Sequence, residues 1–549
     1  MDRVEVVCGS STDISQTTMR RRVRRTVGDL WTRARGLGGF FRARSLVVVL
    51  ALAIGDPTAA QSGGSLRVEV TLDASLATQS DGRLLVVFAP DSGGGIEPRR
   101  LLGRVGANAV PTFGVDVRDL APDDRVQVDD TAASFPLDRL SSLPAGSYRV
   151  QAVLVTNRDV MLPDAPGNLH SAPRRVTLDP TLDRLVQITL TRRIPNTPLP
   201  DAETHLRFVE MQSALLSDFH GRPIVLRAGV ILPLGYDDEP DRRYPLRVHI
   251  GGYGSRYTAV RTLMRPGARF RDAWMDPTAP RMLLLHLDGA GPYGDPYQVN
   301  SANNGPYGDA ITQELIPHIE RVFRAVGTPR ARVLDGSSTG GWVALALKIF
   351  YPRFFNAVWA SCPDSVDFRA FQLVDIYRDN NAYVDARGQE TPSARNRNGS
   401  VRFTMRHEVR AENVLGLGDN WATSGRQWGA WNAAYGPRSP AGHPIPLWDP
   451  QTGVIDRGVV EHWEAYDLRL VLSRNWDRLS PELSGKLNIW VGDRDDYFLD
   501  GAVRHLERFL RSRRAFDARI AYGAGSGHCW TGISEAEMLR EMSVHVSER

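Results

Sequence analysis

The feature that most constrains the fold is a serine set between glycines, where an apolar strand runs directly into an apolar helix. Residues 332–347 read RVLDGSSTGGWVALAL, with Gly336, Ser338 and Gly340 at alternate positions. A turn this sharp between a strand and a helix requires small neighbours, and it lifts the central side chain above the end of the strand. The segment therefore predicts an α/β sheet that presents Ser338 at the carboxyl edge of one strand.

The rest of the chain from about residue 200 onward has the same alternation of strands and helices. Apolar runs suited to buried strands occur at 243–250, 281–287, 331–334, 357–360, 487–491 and 518–522. Helical periodicity occurs at 309–323, where Pro317 predicts a kink, and at 502–511 and 535–544. This order predicts an α/β fold whose sheet is mostly parallel and covered by helices on both faces.

One long stretch, residues 368–479, interrupts the alternation. It holds half of the chain's 12 tryptophans, namely Trp421, Trp428, Trp431, Trp448, Trp463 and Trp476. We interpret it as a cap inserted over the carboxyl edge of the sheet within a domain spanning 200–549. The alternative for each tryptophan is an ordinary core position, because large aromatic side chains dominate the packing of cores.

The preceding region, residues 65–195, has short alternating runs separated by turn residues. Examples lie at 66–72, 83–88, 147–155 and 185–190. Period-2 alternation at this spacing predicts an all-β, immunoglobulin-like antiparallel sandwich. We expect a structural or accessory domain rather than a carbohydrate-binding one, joined to the α/β domain by a linker at 195–200.

Residues 1–60 have the organisation of an export signal. Arginines cluster at 20–25 and 33–44, an apolar run follows at 45–55, and small residues precede a cleavage site near Ala60. The run is shorter than the roughly 20 residues of a membrane-spanning helix, although an uncleaved anchor is the alternative. We therefore expect a secreted or periplasmic protein with no membrane span in the mature chain; translation starts at Met1 or Met19, and the export route stays open.

The distribution of charge argues against nucleic-acid binding. The net charge is +4, but residues 1–60 hold ten arginines and only five acidic residues. The remaining chain carries 57 basic and 58 acidic residues and has no basic stripe that could neutralise phosphates.

A serine hydroxyl needs a base to become a nucleophile, and the base needs a carboxylate to orient it. In a sheet of this kind both partners follow later strands in the order serine, acid, histidine. His528 lies in the glycine-rich segment after the last predicted strand. The acid follows the strand at 487–491; Asp495 is the preferred candidate, and Asp493, Asp496 and Asp500 are its rivals.

Two backbone N–H groups are needed to stabilise a developing oxyanion. One is expected from Thr339, directly after the serine, and the other from Tyr253 or Gly254, in the glycine-rich turn after the strand at 243–250. Gly252 and Trp342 are the candidate substrate-binding residues. His249, just before the turn, is interpreted as a packed strand residue rather than a second base.

These motifs resemble the putative esterase family, a group of α/β-hydrolases that includes esterase D, feruloyl esterases and enterochelin esterase. The resemblance rests on GSSTGG at 336–341, GDRD at 492–495, GHCW at 527–530 and YGDAITQELIP at 307–317. It covers roughly residues 200–549 except most of the cap. Gly251-Gly252 replaces the family's His-Gly at the oxyanion turn, so the donor there is placed only by similarity.

The sequence therefore predicts an exported serine ester hydrolase that acts on a small-molecule or carbohydrate-linked ester. A peptidase on the same fold and a non-catalytic binding protein are the alternatives. No cofactor or metal is expected, because paired-Cys and His-x-x-x-His ligand spacings are missing from the sequence. Cys362 and Cys529 are expected to form a disulfide or to remain two packed thiols, and the acyl and alcohol groups and the oligomeric state stay undetermined.

Overall fold

Residues 66–193 form two β-sheets that share one apolar core. The computed structural model describes residues 65–76, 80–91, 95–122, 124–179 and 182–547, so the predicted leader and Cys8 lie outside the described residues. The strands are β1 (Leu66–Leu72), β2 (Ser80–Pro90), β3 (Thr112–Leu120), β4 (Arg125–Val128), β5 (Ala133–Phe135), β6 (Gly146–Val155), β7 (Leu169–His170), β8 (Arg174–Leu178), β9 (Arg184–Leu190) and β10 (Arg192–Arg193).

The two sheets have three and seven strands. The smaller has the order β4-β1-β9 and the larger β10-β7-β6-β2-β3-β5, with β8 also paired to β6. Alternate residues of β1, such as Val68 and Val70, and of β2, such as Leu84 and Val86, point into the shared core. The pairing of β1 with β9 is parallel, a difference from the antiparallel prediction that arises because strands more than 100 residues apart carry no local signal of their pairing.

Residues 206–547 are built around one eight-stranded sheet. Its order is β11-β12-β14-β13-β17-β18-β21-β22; β11 with β12 and β12 with β14 pair antiparallel, and the other neighbouring strands pair parallel. The strands after β10 are β11 (Leu206–Ser213), β12 (Ile224–Ile231), β13 (Leu246–Ile250), β14 (Leu283–Leu287), β15 (Asn300–Ser301), β16 (Gly305–Pro306), β17 (Arg332–Ser337), β18 (Val358–Ser361), β19 (Pro392–Arg395), β20 (Val401–Thr404), β21 (Leu487–Gly492) and β22 (Arg519–Gly523). The coarse α/β prediction is confirmed.

Helices connect these strands. They are α1 (Ala214–His220), α2 (Val260–Leu263), α3 (Arg269–Trp274), α4 (Tyr307–Asp309), α5 (Ile316–Val322), α6 (Thr339–Phe350), α7 (Met405–Leu415), α8 (Gln427–Tyr435), α9 (Arg457–Trp463), α10 (Leu468–Arg474), α11 (Trp476–Leu483), α12 (Asp500–Arg511) and α13 (Glu535–Ser547). A π-helical stretch, Ala310–Leu315, joins α4 to α5. The sequence predicted a kink at Pro317, and the structure has the irregular stretch directly before this residue. A proline cannot continue the regular hydrogen-bond pattern of an α-helix.

The segment between β18 and β21 covers the carboxyl edge of the sheet. It contains the β19–β20 hairpin and α7 to α11, and its buried aromatic residues join the main core. Trp421, Trp428, Trp431, Trp448 and Trp463 are all at most 3% exposed, so these five are core residues of the segment itself. The predicted end of the cap at 479 falls inside α11, which packs on α6, because a helix boundary is not marked by the tryptophan pattern.

The larger of the two sheets formed by residues 66–193 packs directly against α7. The Arg83 guanidinium donates to the Val414 carbonyl at 2.9 Å and pairs with Asp419 at 2.6 Å. Side chains of β2, β5 and α7 also form a small apolar cluster that includes Leu85, Val87, Phe135, Ala411 and Val414. By its contacts the described chain is one compact unit, and the β region supports a wall of the cavity described below.

No helix in the described part of the chain is both long enough and apolar enough to cross a bilayer.

Candidate active site

Ser338 lies at the junction of β17 and α6, in a backbone conformation that few non-glycine residues adopt. Its φ is 58° and its ψ is −126°, so the turn stores strain that the surrounding packing must offset. A Cβ on Gly340 would lie 2.1 Å from the Ile250 carbonyl oxygen, and one on Gly336 would lie 2.3 Å from the Gly340 oxygen. The glycines of the motif are therefore required by the close approach of the backbones of β13, β17 and α6.

Ser338, His528 and Asp495 form a continuous chain of hydrogen bonds. The distance from Ser338 Oγ to His528 Nε2 is 3.0 Å, and that from His528 Nδ1 to Asp495 Oδ2 is 2.8 Å. The Asp495 side chain is fully buried, and its second oxygen accepts the backbone N–H groups of Tyr497 and Leu499. The carboxylate is thereby fixed in the position that orients the imidazole.

The three rival carboxylates make other contacts. Asp493 accepts the backbone N–H of Gly525 at 2.7 Å. Asp496 accepts the backbone N–H of His528 at 3.4 Å, and Asp500 pairs with Arg395 and Arg504. Among the four candidates, the structure places only Asp495 on the histidine ring.

Two thiols lie beside the histidine. The sulfur atoms of Cys362 and Cys529 are 2.8 Å apart. Burial alone would lower the pKa of His528, but its hydrogen bonds to Asp495 and Cys529 raise that pKa above its usual value. The hydrogen bond from Cys362, with a further contribution from His528, lowers the pKa of Cys529 to about 6 despite burial.

Those sulfurs and His528 could together ligate a metal, since one atom from each lies within 4.8 Å of the others. Both ring nitrogens of His528 already contact Ser338 and Asp495. A metal there would compete with the hydrogen-bond chain, so the geometry fits a thiol pair better than a metal centre.

The turn after β13 lies beside the serine, as expected for an oxyanion loop. A Cβ on Gly252 would lie 4.0 Å from the Ser338 Cβ. Of the two predicted donors, the Gly254 N–H is already engaged, since it donates to Asp295 at 3.0 Å. The Tyr253 hydroxyl donates to the Gly425 carbonyl at 2.8 Å and so ties this loop to the segment that covers the sheet.

Two further sequence expectations have clear outcomes in the structure. Trp342 is fully buried, and its ring packs on Tyr297 and Tyr435 with centroid distances of 5.7 and 4.9 Å; the expectation that it contacts substrate is therefore wrong. His249 is a packed strand residue, as expected: it stacks on His286 and contacts Asp335 at 2.8 Å.

A cavity of about 200 Å³ opens directly over Ser338 and His528. Its remaining lining comes from the oxyanion loop, the loops after β18 and β21, and the covering segment: Tyr253, Asp364, Gln372, Glu408, Gln427, Trp431, Tyr497 and Leu499. Of these eight, only Tyr253 was predicted from the sequence as a site residue, and Trp431 was predicted as part of the cap. Asp364 could have been found, because it follows β18 and the carboxyl ends of parallel strands converge; the residues of α7 and α8 carried no such signal.

Glu412 fixes the wall of this cavity. Its carboxylate accepts the backbone N–H groups of Trp428 and Gly429, both at 3.0 Å, and the Ser424 hydroxyl at 2.7 Å. The two N–H groups belong to the first turn of α8, where they have no partner within the helix, and a carboxylate is favoured at this position. Burial and the neighbouring Glu408 raise the pKa of Glu412 to about 8.

Comparison with known proteins yields a family match for the part of the chain that contains Ser338, but not for the part that contains Asp495 and His528. Residues 227–435, somewhat less than half of the chain, match the model of the family described as Putative esterase. No curated protein sequence matches the chain.

Several solved structures align with somewhat more than 60% of the chain. A ferulic acid esterase has 13% identity and a TM-score of 0.36, with 62% of this chain and 98% of that chain covered. The fluorophosphonate-binding serine hydrolase F of Staphylococcus aureus has 12% identity and a TM-score of 0.35, with 63% and 100% covered. An S-formylglutathione hydrolase from Agrobacterium tumefaciens has 12% identity and a TM-score of 0.34, with 64% and 97% covered.

These TM-scores are too low to relate the chain to any one of these proteins. Its likeness to the esterase family therefore rests on the family match and the motifs. The matched segment contains β17, the Ser338 turn and the oxyanion loop. The resemblance drawn from the sequence is thus confirmed for residues 227–435, which match the model of this family.

Proposed function

We propose that the protein is an exported serine hydrolase that cleaves carboxylic esters through an acyl-enzyme. Ser338 is the nucleophile, His528 the general base and acid, and Asp495 the orienting carboxylate. The observation that carries the proposal is the unbroken contact from Asp495 through His528 to Ser338 at the floor of a cavity. The export part rests on the leader sequence alone.

In the first half of the reaction, Ser338 Oγ attacks the ester carbonyl while His528 Nε2 accepts the hydroxyl proton. Asp495 stabilises the imidazolium through Nδ1. The backbone N–H groups of Thr339 and Tyr253 hold the oxyanion, and Thr339 lies at the first position of α6, where an N–H has no partner within its helix.

Collapse of the tetrahedral intermediate breaks the bond to the alcohol, which leaves with the proton from His528. Water then attacks the acyl-enzyme as His528 takes one of its protons, and the acid product departs as Ser338 regains its hydrogen. The raised pKa of His528 means that the base form gains population as pH increases, so activity should rise with pH until that group is neutral.

The experiment is labelling by a fluorophosphonate probe, followed by a substrate panel. The probe should modify Ser338 in the purified chain and fail to modify the Ser338→Ala variant. Hydrolysis of esters, with peptides of matched acyl group cleaved far more slowly, supports an esterase over a peptidase. An unlabelled, properly folded protein without activity on any ester would favour a non-catalytic binding protein.

A further inference from the structure

Two carboxyl groups line the cavity beside Ser338, and the triad mechanism uses neither. Asp364 Oδ1 lies 3.5 Å from Ser338 Oγ, and Glu408 on α7 lines the same cavity. Burial raises the pKa of both groups, and a negative charge on either, with no cation beside it, would oppose the formation of an oxyanion at Ser338. A positively charged group of the substrate, bound beside these carboxyl groups, would offset this effect.

The Asp364 carboxylate is held firmly through one oxygen and leaves the other free. Oδ2 accepts four side-chain donors at distances between 2.8 and 3.4 Å, from Tyr297, Thr339, Trp431 and Gln427. Among the described residues, Oδ1 has only the long contact to Ser338. A donor bound to Oδ1 would therefore lie within a few bonds of the carbonyl carbon that Ser338 attacks.

The charge and chemistry of the lining favour a cationic donor. Of the lining residues only His528 can carry positive charge. Two guanidinium groups lie near Glu408 but outside the lining. That of Arg402 contacts Asp496 and the ring of Tyr497, and that of Arg426 contacts the Gly103 carbonyl. The aromatic side chains of Tyr253 and Trp431 complete surroundings of the type that binds ammonium groups.

A buried amide gives an independent sign of a polar ligand. Gln372 is only 4% exposed and lines the cavity. Its Oε1 accepts the Ser393 hydroxyl at 3.1 Å, whereas its Nε2 has no hydrogen-bond partner among the described residues. Because Gln372 lines the cavity, this amide group can donate a hydrogen bond to an acceptor atom of a bound ligand.

We propose that the substrates are aminoacyl esters, with the protonated amine next to the scissile carbonyl bound by Asp364 and attracted by Glu408. This inference rests on the proposed function and specifies its substrate class. The aminoacyl group passes to Ser338 Oγ with release of the alcohol, and water then releases the free amino acid.

The test compares benzyl esters that share a leaving group and differ at one position of the acyl group. Alanine, N-acetylalanine, lactate and propionate benzyl esters are hydrolysed by the full chain, and released benzyl alcohol is quantified. Each kcat/KM is divided by the hydroxide-catalysed rate of the same ester, since an ammonium group also activates the carbonyl. We expect the normalised value for alanine to exceed that for propionate by about 10- to 100-fold, the range for a hydrogen bond to a charged group.

Variants assign this preference to its residues. Asp364→Asn can keep its oxygen toward the four donors while losing the charge, so the alanine-to-propionate ratio should fall to near one; Glu408→Gln should lower it less. Asp500→Asn, a carboxylate outside the lining, is the matched control and should leave the ratio unchanged. Thermal unfolding reports whether each variant folds, and the ester series on the unaltered protein decides the question even if one does not.

Equal normalised rates for alanine and N-acetylalanine, or for alanine and propionate, would overturn the inference. Lactate matching alanine would overturn it too, because a hydroxyl would then suffice. In each of these cases fluorophosphonate labelling of Ser338 and measurable ester turnover would leave the proposed function standing. Loss of both would instead refute the proposed function.

Discussion

Replacing Asp495 by Asn should nearly abolish turnover while leaving the fold intact. Asp495 Oδ1 accepts two backbone N–H groups, from Tyr497 and Leu499, and an Asn oxygen can keep both of these bonds. The Asn NH2 group then faces His528 Nδ1, which must become an acceptor. The ring proton moves to Nε2, toward Ser338, where it blocks removal of the hydroxyl proton.

The expected loss follows from this change of tautomer. An Asp-to-Asn change at the orienting position of a serine triad lowers kcat by about four orders of magnitude, equivalent to about 5.5 kcal/mol of transition-state stabilisation. Asp496→Asn is the matched control. The Asp496 side chain is 28% exposed, and among the described residues its carboxylate contacts the His528 backbone N–H and, at 3.8 Å, Arg402. Replacing it should therefore cost about tenfold or less.

The assay is steady-state hydrolysis of one activated ester by the two variants and the unaltered protein, with circular dichroism and thermal unfolding to verify folding. A larger loss for Asp496→Asn, or equal losses, would refute the assignment of Asp495.

Three further predictions follow from the surroundings of the site. Non-reducing peptide mapping of exported protein should show a disulfide between Cys362 and Cys529, which would stabilise the fold by up to about 5 kcal/mol. Reduction of this disulfide should lower activity before the protein unfolds. Two alkylatable thiols at these positions would contradict the prediction. Trp342→Phe should destabilise by about 1–3 kcal/mol with unchanged KM, and a raised KM at full stability would restore Trp342 as a substrate contact. Burial raises the folded-state pKa of Glu412 from 4.5 to about 8, so its contribution to stability should decline as pH rises across that window. The Glu412→Gln variant should therefore lack this slope in a plot of Tm against pH. An identical slope in the variant would contradict the prediction.

Local signals explain why the Ser338 turn and Asp495 were predictable. The turn needs glycines at fixed positions because three backbone segments meet there, and the acid and base follow strands whose order can be inferred from apolar runs. Trp342 was misassigned although its signal was present: the run WVALAL is apolar on all sides, which predicts a helix buried all round.

The rest of the cavity depends on contacts between distant segments. Glu408 and Gln427 reach the site only because α7 and α8 dock over the sheet, with Glu412 holding the start of α8. Gly254 and Tyr253 are equally plausible donors from sequence, and only the bond from Gly254 to Asp295 distinguishes them. Such docking is set by packing and by hydrogen bonds between residues far apart in the chain, and these have no periodic pattern in the sequence.

The central claim, an acyl group carried by Ser338, is tested most directly by trapping that intermediate. The full chain is mixed with a slowly deacylating ester and quenched in acid, and intact mass and peptide mapping locate the added group. We expect a mass increase equal to one acyl group, mapped to the peptide that contains Ser338 and not found in the Ser338→Ala variant. An acyl group on another residue, or undiminished turnover by the Ser338→Ala variant, would contradict it.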